Sequence, residues 1–570
     1  MQEIQRKENL GLSIAVLASL TTLAIAPIYA YDAFNTFKLF FIYALGGTSL
    51  YFILRNAKGL RSKIGNLTSL LLLLILVDMV VVLIASDINF WQVFYGVSGR
   101  FTGFGTYLAF TLILLASALA SNFYTRKRVL GAFFFCGVLT VIYSLFQYSG
   151  NDIVQWDGNA ASKVIGFVGN PNFVSVFLAL TATLALAKIL NGTNSTLINI
   201  FYVLVIIGSV IGLFGANATQ GFLILGLGFS IVLYFFAKYK FQSKAPSRVI
   251  ATGTILGVII GALDIFQKVP WDPFLYGETI SIRGDYWQAG WNTALSHPIF
   301  GVGFDGYLNF NRRSRDLDAS LRAGKDVPTD AAHNVFLDFA ASGGFIFLIL
   351  NLVLIALVLV SANRYLKQTQ KFESGYIAVF ALWVGLMIQS IVSINQLGLA
   401  IWSWVLGGLI LGSKFDEQDL GQVHKRNARK KSFSIDAFGA GLAVAGLLGG
   451  MIALPIVIAD HQFKKAIDSK SALELYNAAN SWPPITKKMV LVTAVLNENK
   501  IYKEAQILSK RTVKINPDSF EAWIIYAHNP ILSESELAEI KKQLVRLDPN
   551  INKLGGIDKY LAEKLAQTGG

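Results

Sequence analysis

Apolar segments long enough to cross a lipid bilayer recur along most of this 570-residue chain. A helix needs about 20 mainly apolar residues to span a hydrocarbon core of roughly 30 Å. The composition agrees, since 54% of the residues are hydrophobic and the mean hydropathy is +0.52, which is more apolar than a soluble protein of this size. The sequence therefore predicts an all-α polytopic membrane protein with about thirteen transmembrane helices. These cover residues 10–30, 36–54, 67–86, 103–121, 129–148, 172–190, 197–216, 222–237, 249–266, 334–363, 376–394, 397–411 and 435–459.

The charged residues between these helices predict which side of the membrane each loop faces. Lys and Arg concentrate in short loops, the most basic of them at 425–431, and the positive-inside rule places such loops in the cytoplasm. The N-terminus is then cytoplasmic, and the C-terminal domain is extracytoplasmic. The same count places outside the polar loops near 87–100, 151–171, 217–221 and 267–333. We expect a multi-pass protein of the cell (inner) membrane, and the net charge of +14 needs no nucleic acid to explain it.

The chain changes character near residue 460. Residues 1–459 form the predicted membrane domain, with a long extracytoplasmic loop at 267–333. Residues 460–570 are polar, and their helical pattern, with Pro517 at a turn and Pro549 ending a second segment, is typical of tetratricopeptide repeats. A generic helical domain is the alternative. Such repeats bind partners or pack against their own protein, so a protein partner is a further expectation.

The first candidate for chemistry is an arginine on a predicted amphipathic helix in the long loop. Arg283, Trp287 and Trp291 follow each other at i,i+4 spacing and so share one side of that helix. Aromatic residues of this kind suit the membrane interface. The planar guanidinium of Arg283 suits a phosphate or diphosphate. The alternative is an interfacial anchor that binds lipid headgroups generally.

The second candidate is His333, which precedes Asn334 at the start of the tenth predicted helix. Imidazole titrates near neutral pH and can take a proton from a hydroxyl group. The helix dipole disfavours the protonated form at a helix N-terminus, which favours a neutral base. A capping or packing histidine is the alternative. His297 precedes a proline and is expected to serve structure.

Other polar residues leave open alternatives. Asp285 and Asp305 are candidate bases if His333 is not the base. Asp78 is a carboxylate within the third predicted helix. It is either a functional residue or the partner in a buried hydrogen bond to a neighbouring helix. The glycines at 301, 303 and 306 permit either a phosphate contact or only tight turns. No spacing of histidines or carboxylates suggests a metal site, and no cofactor is expected.

The central stretch resembles the hallmark region of the O-antigen ligase superfamily, which includes oligosaccharide polymerases and O-linking oligosaccharyltransferases. Arg283 with Trp287, the segment HPIFGVGFDGY at 297–307 and the segment AHNVFLDFAASGGF at 332–345 carry the resemblance. GRFTGFGTYL at 99–108 and GNPN at 169–172 are weaker matches. The resemblance extends over about 10–412 and excludes the last predicted membrane helix and the tail.

The resemblance implies an enzyme that transfers an oligosaccharide from undecaprenyl diphosphate to an acceptor hydroxyl, with inversion and without metal. It implies that His333 helps to activate the acceptor and that Arg283 holds the diphosphate. The expected substrate-binding residues are Arg100, Gln220, Trp287, Arg312, Arg313 and Asn334. The expected partners are the lipid-linked glycan donor and a lipid, glycan or protein acceptor.

One position departs from the family pattern, and other functions stay open. Family members often have Ser-Arg-Gly where this chain has Thr219-Gln220-Gly221, so Gln220 offers hydrogen bonds without charge; Arg100 or an arginine at 312–315 is the expected compensation. A repeat-unit polymerase is the alternative within the same class. A lipid-linked glycan transporter is an alternative of another class, although no half-to-half repeat is visible. A non-catalytic scaffold is the last alternative.

Overall fold

The computed structural model of the chain describes residues 2–56, 60–154, 156, 164–272, 278–322, 329–413 and 437–568. Every regular element within these ranges is a helix, which confirms the all-α prediction for that part of the chain. The predicted basic loop at 425–431 and parts of the loops at 151–171 and 267–333 lie outside the described residues.

The first eleven helices precede the long loop. They are α1 (Gln2–Leu23), α2 (Thr36–Asn56), α3 (Leu60–Ile64), α4 (Asn66–Ala85), α5 (Phe90–Tyr95), α6 (Phe104–Ala120), α7 (Phe123–Tyr148), α8 (Pro171–Ile189), α9 (Thr196–Ala216), α10 (Thr219–Lys240) and α11 (Ala245–Ile265). The long loop contains α12 (Glu278–Ser296), α13 (Tyr307–Ser314) and α14 (Leu317–Leu321). The membrane region ends with α15 (Val335–Thr369), α16 (Ser374–Val392), α17 (Leu397–Leu411) and α18 (Ala437–Met451).

Each predicted membrane segment overlaps a helix of the described residues, but α1 ends at Leu23, so the prediction that the first segment reaches residue 30 is wrong. Fewer of these helices meet the length and hydropathy expected of a membrane span. Among the described residues nine helices do so: α2, α4, α7, α8, α9, α10, α11, α15 and α16. The predicted helix at 435–459 is a pair of helices, α18 and Leu454–Ser469, bent by 51°. The apolar helices α6 and α17 have 17 and 15 residues, and α1 carries charged residues in its first two turns. The fold is that of a polytopic membrane protein, and the count of thirteen crossings stays a prediction.

Helix α8 lies at the centre of the bundle. Its apolar segment is 78% buried, whereas that of α11 at the edge is 6% buried. Glycines on three neighbouring helices allow this close approach, since Gly137 of α7 faces Thr181, Gly228 of α10 faces Thr183 and Gly385 of α16 faces Leu180. Small residues of this kind let membrane helices pack backbone against side chain. The bundle is therefore built around α8.

The loops gather at two opposite ends of the bundle. At one end Gln396 donates a hydrogen bond to Asn35 at 3.3 Å, and Asn35 donates to the Gly99 carbonyl at 2.8 Å. At the other end Arg126 pairs with Glu373 at 2.9 Å. The loops predicted to be extracytoplasmic share the first end, which we call the outer end. The assignment of that end to the outside of the cell stays a prediction.

Helix α15 is broken near its start, and the long loop fills the break. Gly344 has a φ of 73°, in the left-handed region that favours glycine. The Val302 N–H donates to the Ala341 carbonyl and the Gly303 N–H donates to the Ser342 carbonyl, both at 2.9 Å. The chain segments 297–307 and 332–345 are thus joined by backbone hydrogen bonds. α15 also continues to Thr369, beyond the predicted end at 363, because Arg364 and Lys367 are compatible with a helix.

The helices after α18 form a layer on the outer end. They are α19 (Leu454–Ser469), α20 (Ala472–Ala479), α21 (Thr486–Glu498), α22 (Tyr502–Ile515), α23 (Phe520–Ala527), α24 (Glu534–Leu547) and α25 (Ile557–Thr568). α19 crosses the predicted domain boundary at residue 460, which stays a prediction. Pro517 lies in the turn between α22 and α23, as expected, and the assignment to tetratricopeptide repeats stays a prediction.

We call this layer of helices the C-terminal domain. Ion pairs hold it against the long loop. Asp548 is 1% exposed and pairs with Arg315 at 2.5 Å and with Arg312 at 3.6 Å. Asp518 pairs with Arg313 at 2.7 Å. Buried charges require partners of opposite sign, and each domain supplies the partners of the other. The C-terminal domain therefore packs against the membrane region of its own chain.

Candidate active site

His333 lies directly before α15, in a backbone conformation that few non-glycine residues adopt. Its φ is 53°, in the left-handed region. Asn334 caps the helix by accepting hydrogen bonds from the Phe336 and Leu337 N–H groups. The Nδ1 of His333 lies 3.2 Å from the Ala331 carbonyl oxygen. Because a carbonyl oxygen only accepts, Nδ1 carries the proton in this contact and Nε2 keeps a lone pair.

The surroundings of His333 favour the neutral imidazole. Burial lowers the pKa of His333 below its ordinary value of 6.5, and the cations Arg100 and Arg283 lower it further. The Ala331 carbonyl and the Asp330 carboxylate act in the opposite direction, but the net shift of the pKa is downward. A neutral imidazole with a free lone pair can accept a proton near neutral pH.

Arg100 links the residues on both sides of His333. It is 6% exposed, and its Nη1 donates to the Asp330 carbonyl oxygen at 3.0 Å. Its guanidinium also lies 3.7 Å from the Asp338 carboxylate, which accepts a hydrogen bond from the Ala332 N–H at 2.8 Å. The predicted substrate-binding residue Arg100 thus lies beside the predicted base. Asp330 and Asp338 are absent from the sequence predictions, although acidic residues this close to a candidate base were a usable signal.

The two carboxylates considered as alternative bases both have other partners. Asp305 is buried and accepts hydrogen bonds from the N–H groups of Val97 and Thr102 at 2.9 and 3.0 Å. It holds the turn that carries Arg100. Asp285 pairs with Arg322 at 3.2 Å. Neither arrangement leaves a carboxylate free to accept a proton beside His333, so the geometry favours His333.

Helix α12 brings Arg283 close to the site. The ring of Tyr286 on this helix lies 5.2 Å from the His333 ring, measured between centroids. Arg283 is half-buried and has no carboxylate partner among the described residues. One turn later, the buried indole N–H of Trp287 likewise has no hydrogen-bond partner within the described part of the chain. Both groups remain available to a ligand.

The structure places three other residues of interest away from this cluster. Arg312 and Arg313, predicted to bind substrate, pair with carboxylates of the C-terminal domain, and Arg312 also stacks on Phe520 with its guanidinium carbon 4.2 Å from the ring centroid. These two arginines therefore hold the C-terminal domain against the long loop. His297 packs on Phe310, as expected for a structural histidine.

Three neighbouring cavities lie between the apolar part of the bundle and Arg100. The first, of about 520 Å³, is an apolar groove beside the start of α15, and Val335, Phe339 and Trp383 are among its lining residues. The second, of about 250 Å³, is lined by polar residues of α16 and α17. The third, of about 500 Å³, is bordered by Arg100 and by Asn170 of the GNPN segment. Asn395 lines all three cavities, so they lie next to one another around this residue.

Two buried glutamines, one on α10 and one on α16, have amides without hydrogen-bond partners among the described residues. Gln220, the residue that departs from the family pattern, is 8% exposed and Gln389 is 3% exposed. Neither the oxygen nor the nitrogen of either amide has a hydrogen-bond partner among the described residues. Gln389 lines the second cavity. The sequence analysis did not identify Gln389 as a residue of interest, although a polar residue inside an apolar membrane segment is a recognisable signal.

A larger cleft separates the C-terminal domain from the outer end of the bundle. Its volume is about 1050 Å³, and its lining includes Trp91, Phe101 and Asp330 on one side and Lys487 and Asn516 on the other. Asp330 also lines a smaller cavity shared with Arg100 and Asp338. The cleft therefore ends beside the His333 cluster.

Comparison with known proteins agrees with this geometry. The sequence model described as O-antigen ligase matches residues 179–352, which run from α8 into α15 and contain Gln220, Arg283 and His333. This part of the chain is similar to that family, which supports a membrane protein of the glycosyltransferase-like ligase or polymerase type. The weaker matches at 99–108 and 169–172, and the C-terminal domain, lie outside the matched segment. No curated protein matches the chain.

Proposed function

We propose that the chain transfers an oligosaccharide from an undecaprenyl-diphosphate donor to an acceptor hydroxyl, with His333 as the general base. The observation that carries this proposal is a half-buried histidine that lies two residues before Val335, a lining residue of an apolar groove, and within electrostatic range of Arg100 and Arg283. A lipid tail requires an apolar groove, a diphosphate requires cations, and a hydroxyl nucleophile requires a base. The site offers all three.

The donor lies along the three cavities around Asn395 in this proposal. The polyprenyl tail occupies the apolar groove beside α15, and the diphosphate lies toward Arg283 and Arg100. Arg283 has no carboxylate partner among the described residues, so an incoming anion meets no competing counter-ion there. A half-buried arginine pairs well with phosphate oxygens because its planar fork donates two parallel hydrogen bonds.

The reaction is a single displacement at the anomeric carbon. The acceptor hydroxyl gives its proton to Nε2 of His333 as its oxygen forms the new glycosidic bond. The bond between the anomeric carbon and the diphosphate oxygen breaks, and the diphosphate leaves with the electron pair. Arg283 stabilises the negative charge on the leaving diphosphate. The configuration at the anomeric carbon inverts.

The acceptor enters through the cleft beneath the C-terminal domain. This cleft reaches Asp330, which is three residues before His333 and contacts Arg100. The cavity at Arg100 that we assign to the donor shares no lining residue with this cleft. Two substrates can therefore meet at His333 without crossing each other. A repeat-unit polymerase uses the same arrangement with a growing glycan as the acceptor, and the identity of the product distinguishes the two.

A transfer assay with a matched pair of histidine variants tests this function. Membranes containing wild type, His333→Ala or His297→Ala at equal expression receive a lipid-linked glycan from the native host. We expect His333→Ala to lose about 10²–10⁴-fold in the rate of transfer, the usual contribution of a general base. His297→Ala should keep most of the wild-type rate, because its ring packs on Phe310 outside the cluster.

Three other results of the assay count against parts of the proposal. Equal rates for the two histidine variants reject His333 as the base. Movement of the intact lipid-linked glycan between leaflets without transfer supports the transporter alternative. No change in the glycan with wild type rejects the enzymatic function and leaves the scaffold alternative.

A further inference from the structure

Asp338 is a buried carboxylate of the His333 cluster to which the proposed reaction gives no role. It lies in the first turn of α15 and is 8% exposed. One of its oxygens accepts a hydrogen bond from the Ala332 N–H at 2.8 Å. The other oxygen has no hydrogen-bond partner among the described residues and lies 3.7 Å from the guanidinium of Arg100. The bond to Ala332 is therefore the directed contact that this carboxylate makes.

This bond acts on His333 through a single peptide group. The Ala332 N–H and the Ala331 carbonyl belong to the same planar unit, so fixing the direction of one fixes the direction of the other. Both alanines are 0% exposed. The Ala331 oxygen lies 3.2 Å from Nδ1 of His333. Asp338, the peptide group and the imidazole thus form a chain of two hydrogen bonds.

Two further contacts hold the same stretch of backbone. The hydroxyl of Thr329 donates to the Ala331 oxygen at 3.0 Å, and a carbonyl oxygen has a second lone pair for Nδ1 of His333. Arg100 donates to the Asp330 carbonyl at 3.0 Å, one peptide group earlier. The φ of 53° at His333 is a conformation that persists only where the surrounding structure holds it. Contacts on two successive peptide groups supply that support.

We propose that Asp338 is a positioning residue for His333 and acts through the peptide group between Ala331 and Ala332. It fixes the carbonyl that accepts from Nδ1, which keeps the proton on Nδ1 and the lone pair on Nε2. When Nε2 takes the proton of the acceptor hydroxyl, Nδ1 stays bonded to Ala331, and no proton reaches Asp338. The role rests on the proposed function, because it serves His333 as the base.

The same chain of hydrogen bonds stabilises the charge that forms on the ring. A carboxylate that accepts from a peptide N–H polarises the peptide group and makes its carbonyl a stronger acceptor. The carbonyl then favours the imidazolium of His333, and the peptide group keeps the full charge of Asp338 away from the ring. A base that is oriented by a third group is a recurring catalytic arrangement. Here a peptide group lies between the two.

Nitrogen NMR of the histidine rings distinguishes this role from that of a helix cap. A side chain near a helix N-terminus that accepts from a backbone N–H also stabilises the helix, and a cap of that kind does not set the tautomer of His333. The chemical shifts of Nδ1 and Nε2 report which nitrogen carries the proton. The chain has five histidines, so the signals of His333 are those that disappear in His333→Ala. Spectra are taken above the ordinary imidazole pKa of about 6.5, where the ring is neutral.

Asp338→Leu and Asp338→Asn are the matched variants. Leucine is similar in size and removes the acceptor, whereas asparagine keeps an oxygen that accepts from the Ala332 N–H. We expect the proton on Nδ1 in wild type and in Asp338→Asn, and a gain of the Nε2–H tautomer in Asp338→Leu. Thr329→Val is the control for this spectrum, because it removes the other hydrogen bond to the Ala331 oxygen and should leave the proton on Nδ1.

Transfer rates of the same two variants connect the tautomer with catalysis. We expect kcat to fall about 10–100-fold in Asp338→Leu, the usual effect of removing the outer partner of a functional histidine. The fall should be smaller in Asp338→Asn. KM for donor and acceptor should stay near the wild-type values, because Asp338 orients the base without touching either substrate.

The outcomes separate the positioning role from the function on which it rests. An unchanged tautomer in Asp338→Leu, or an equal loss of kcat in the leucine and asparagine variants, overturns the proposal in favour of a helix cap. If Asp338→Leu does not fold, wild type still decides, since a proton on Nε2 of neutral His333 overturns the proposal. If wild type transfers no glycan, the proposed function fails, whereas a change of tautomer in Asp338→Leu still shows that Asp338 positions His333.

Discussion

At the scale of single residues, burial lowers the pKa of His333 most, and charges from three parts of the chain modify it. Arg100 precedes α6, Arg283 lies on α12 and Asp330 lies in the loop before α15. The two arginines disfavour the imidazolium and Asp330 favours it. Burial adds to the effect of the arginines, because it disfavours the charged form of histidine. The balance keeps His333 neutral in the range where a base is useful.

The pH dependence of transfer should follow this balance. The base works when neutral, so activity falls as the pH drops through the pKa of His333. Because that pKa is lowered, we expect the acid limb of the rate profile below the ordinary imidazole value of about 6.5. Asp330→Asn removes a charge that raises the pKa and should move the limb to lower pH. Arg283→Gln removes a charge that lowers the pKa and should move the limb to higher pH.

Rate profiles of the three proteins, measured from pH 4.5 to about 8 at constant ionic strength, check this prediction. The opposite directions are the informative part, since a general loss of activity changes the height of the profile and leaves its midpoint in place. Shifts of both variants in the same direction would show that these charges do not act on the titrating group.

At the scale of elements, the break in α15 explains why the two strongest matching segments belong together. The turn before α13 contains Gly301 and Gly303, whose φ values are 61° and 92°. This turn allows the loop backbone to reach the carbonyls freed by the break at Gly344. The glycines thus serve a tight turn against α15. Of the two alternatives raised by the sequence, the structure supports the structural one.

Gly344→Ala should therefore destabilise the fold. A Cβ at this residue would lie 2.1 Å from the carbonyl oxygen of Ile299, and the φ of 73° disfavours alanine. Strain of this kind costs at least about 1–3 kcal/mol. We expect a lower unfolding temperature in detergent and reduced yield in membranes. Gly131→Ala on α7 is the control, because open space surrounds that helical glycine and alanine favours the helix.

At the scale of the whole molecule, the C-terminal domain covers the end of the bundle where the candidate site lies. Its contacts use Arg312, Arg313 and Arg315 of the long loop. A closed ring of amide hydrogen bonds among Gln92, Asn309 and Asn516 adds to them. This domain therefore forms one wall of the cleft proposed for the acceptor.

Asp548→Ala should loosen the C-terminal domain. Asp548 is almost fully buried and pairs with two arginines, so its removal takes a buried counter-ion from both of them and weakens the contact between the two domains. We expect faster proteolysis of the domain in membrane vesicles and weaker binding of the acceptor. Asp558→Ala is the control, since that side chain is 80% exposed and its pair with Lys541 contributes little. Equal proteolysis of the two variants would contradict this role.

The sequence by itself determined the helical class, the positions of the membrane helices and the two residues most suited to chemistry. Hydropathy is a local property, so each of the thirteen predicted segments overlaps a helix of the described residues, including the short α6 and α17, although α1 ends at Leu23 and not at residue 30. Arg283 and His333 were identified by residue type and by resemblance. Whether these two residues act as proposed is left to the transfer and pH experiments.

Only the tertiary structure decided which polar residues share a site, because pairing between distant segments leaves no local signal. It placed Arg100 between Asp330 and Asp338, and it paired Arg312 and Arg313 with carboxylates of the C-terminal domain. Gln389 is a single polar residue in an apolar run, and its lack of partners within the described chain depends on what α8, α10 and α17 place around it. Charge and hydrogen bonding are satisfied in three dimensions, and the order of residues along the chain does not reveal how.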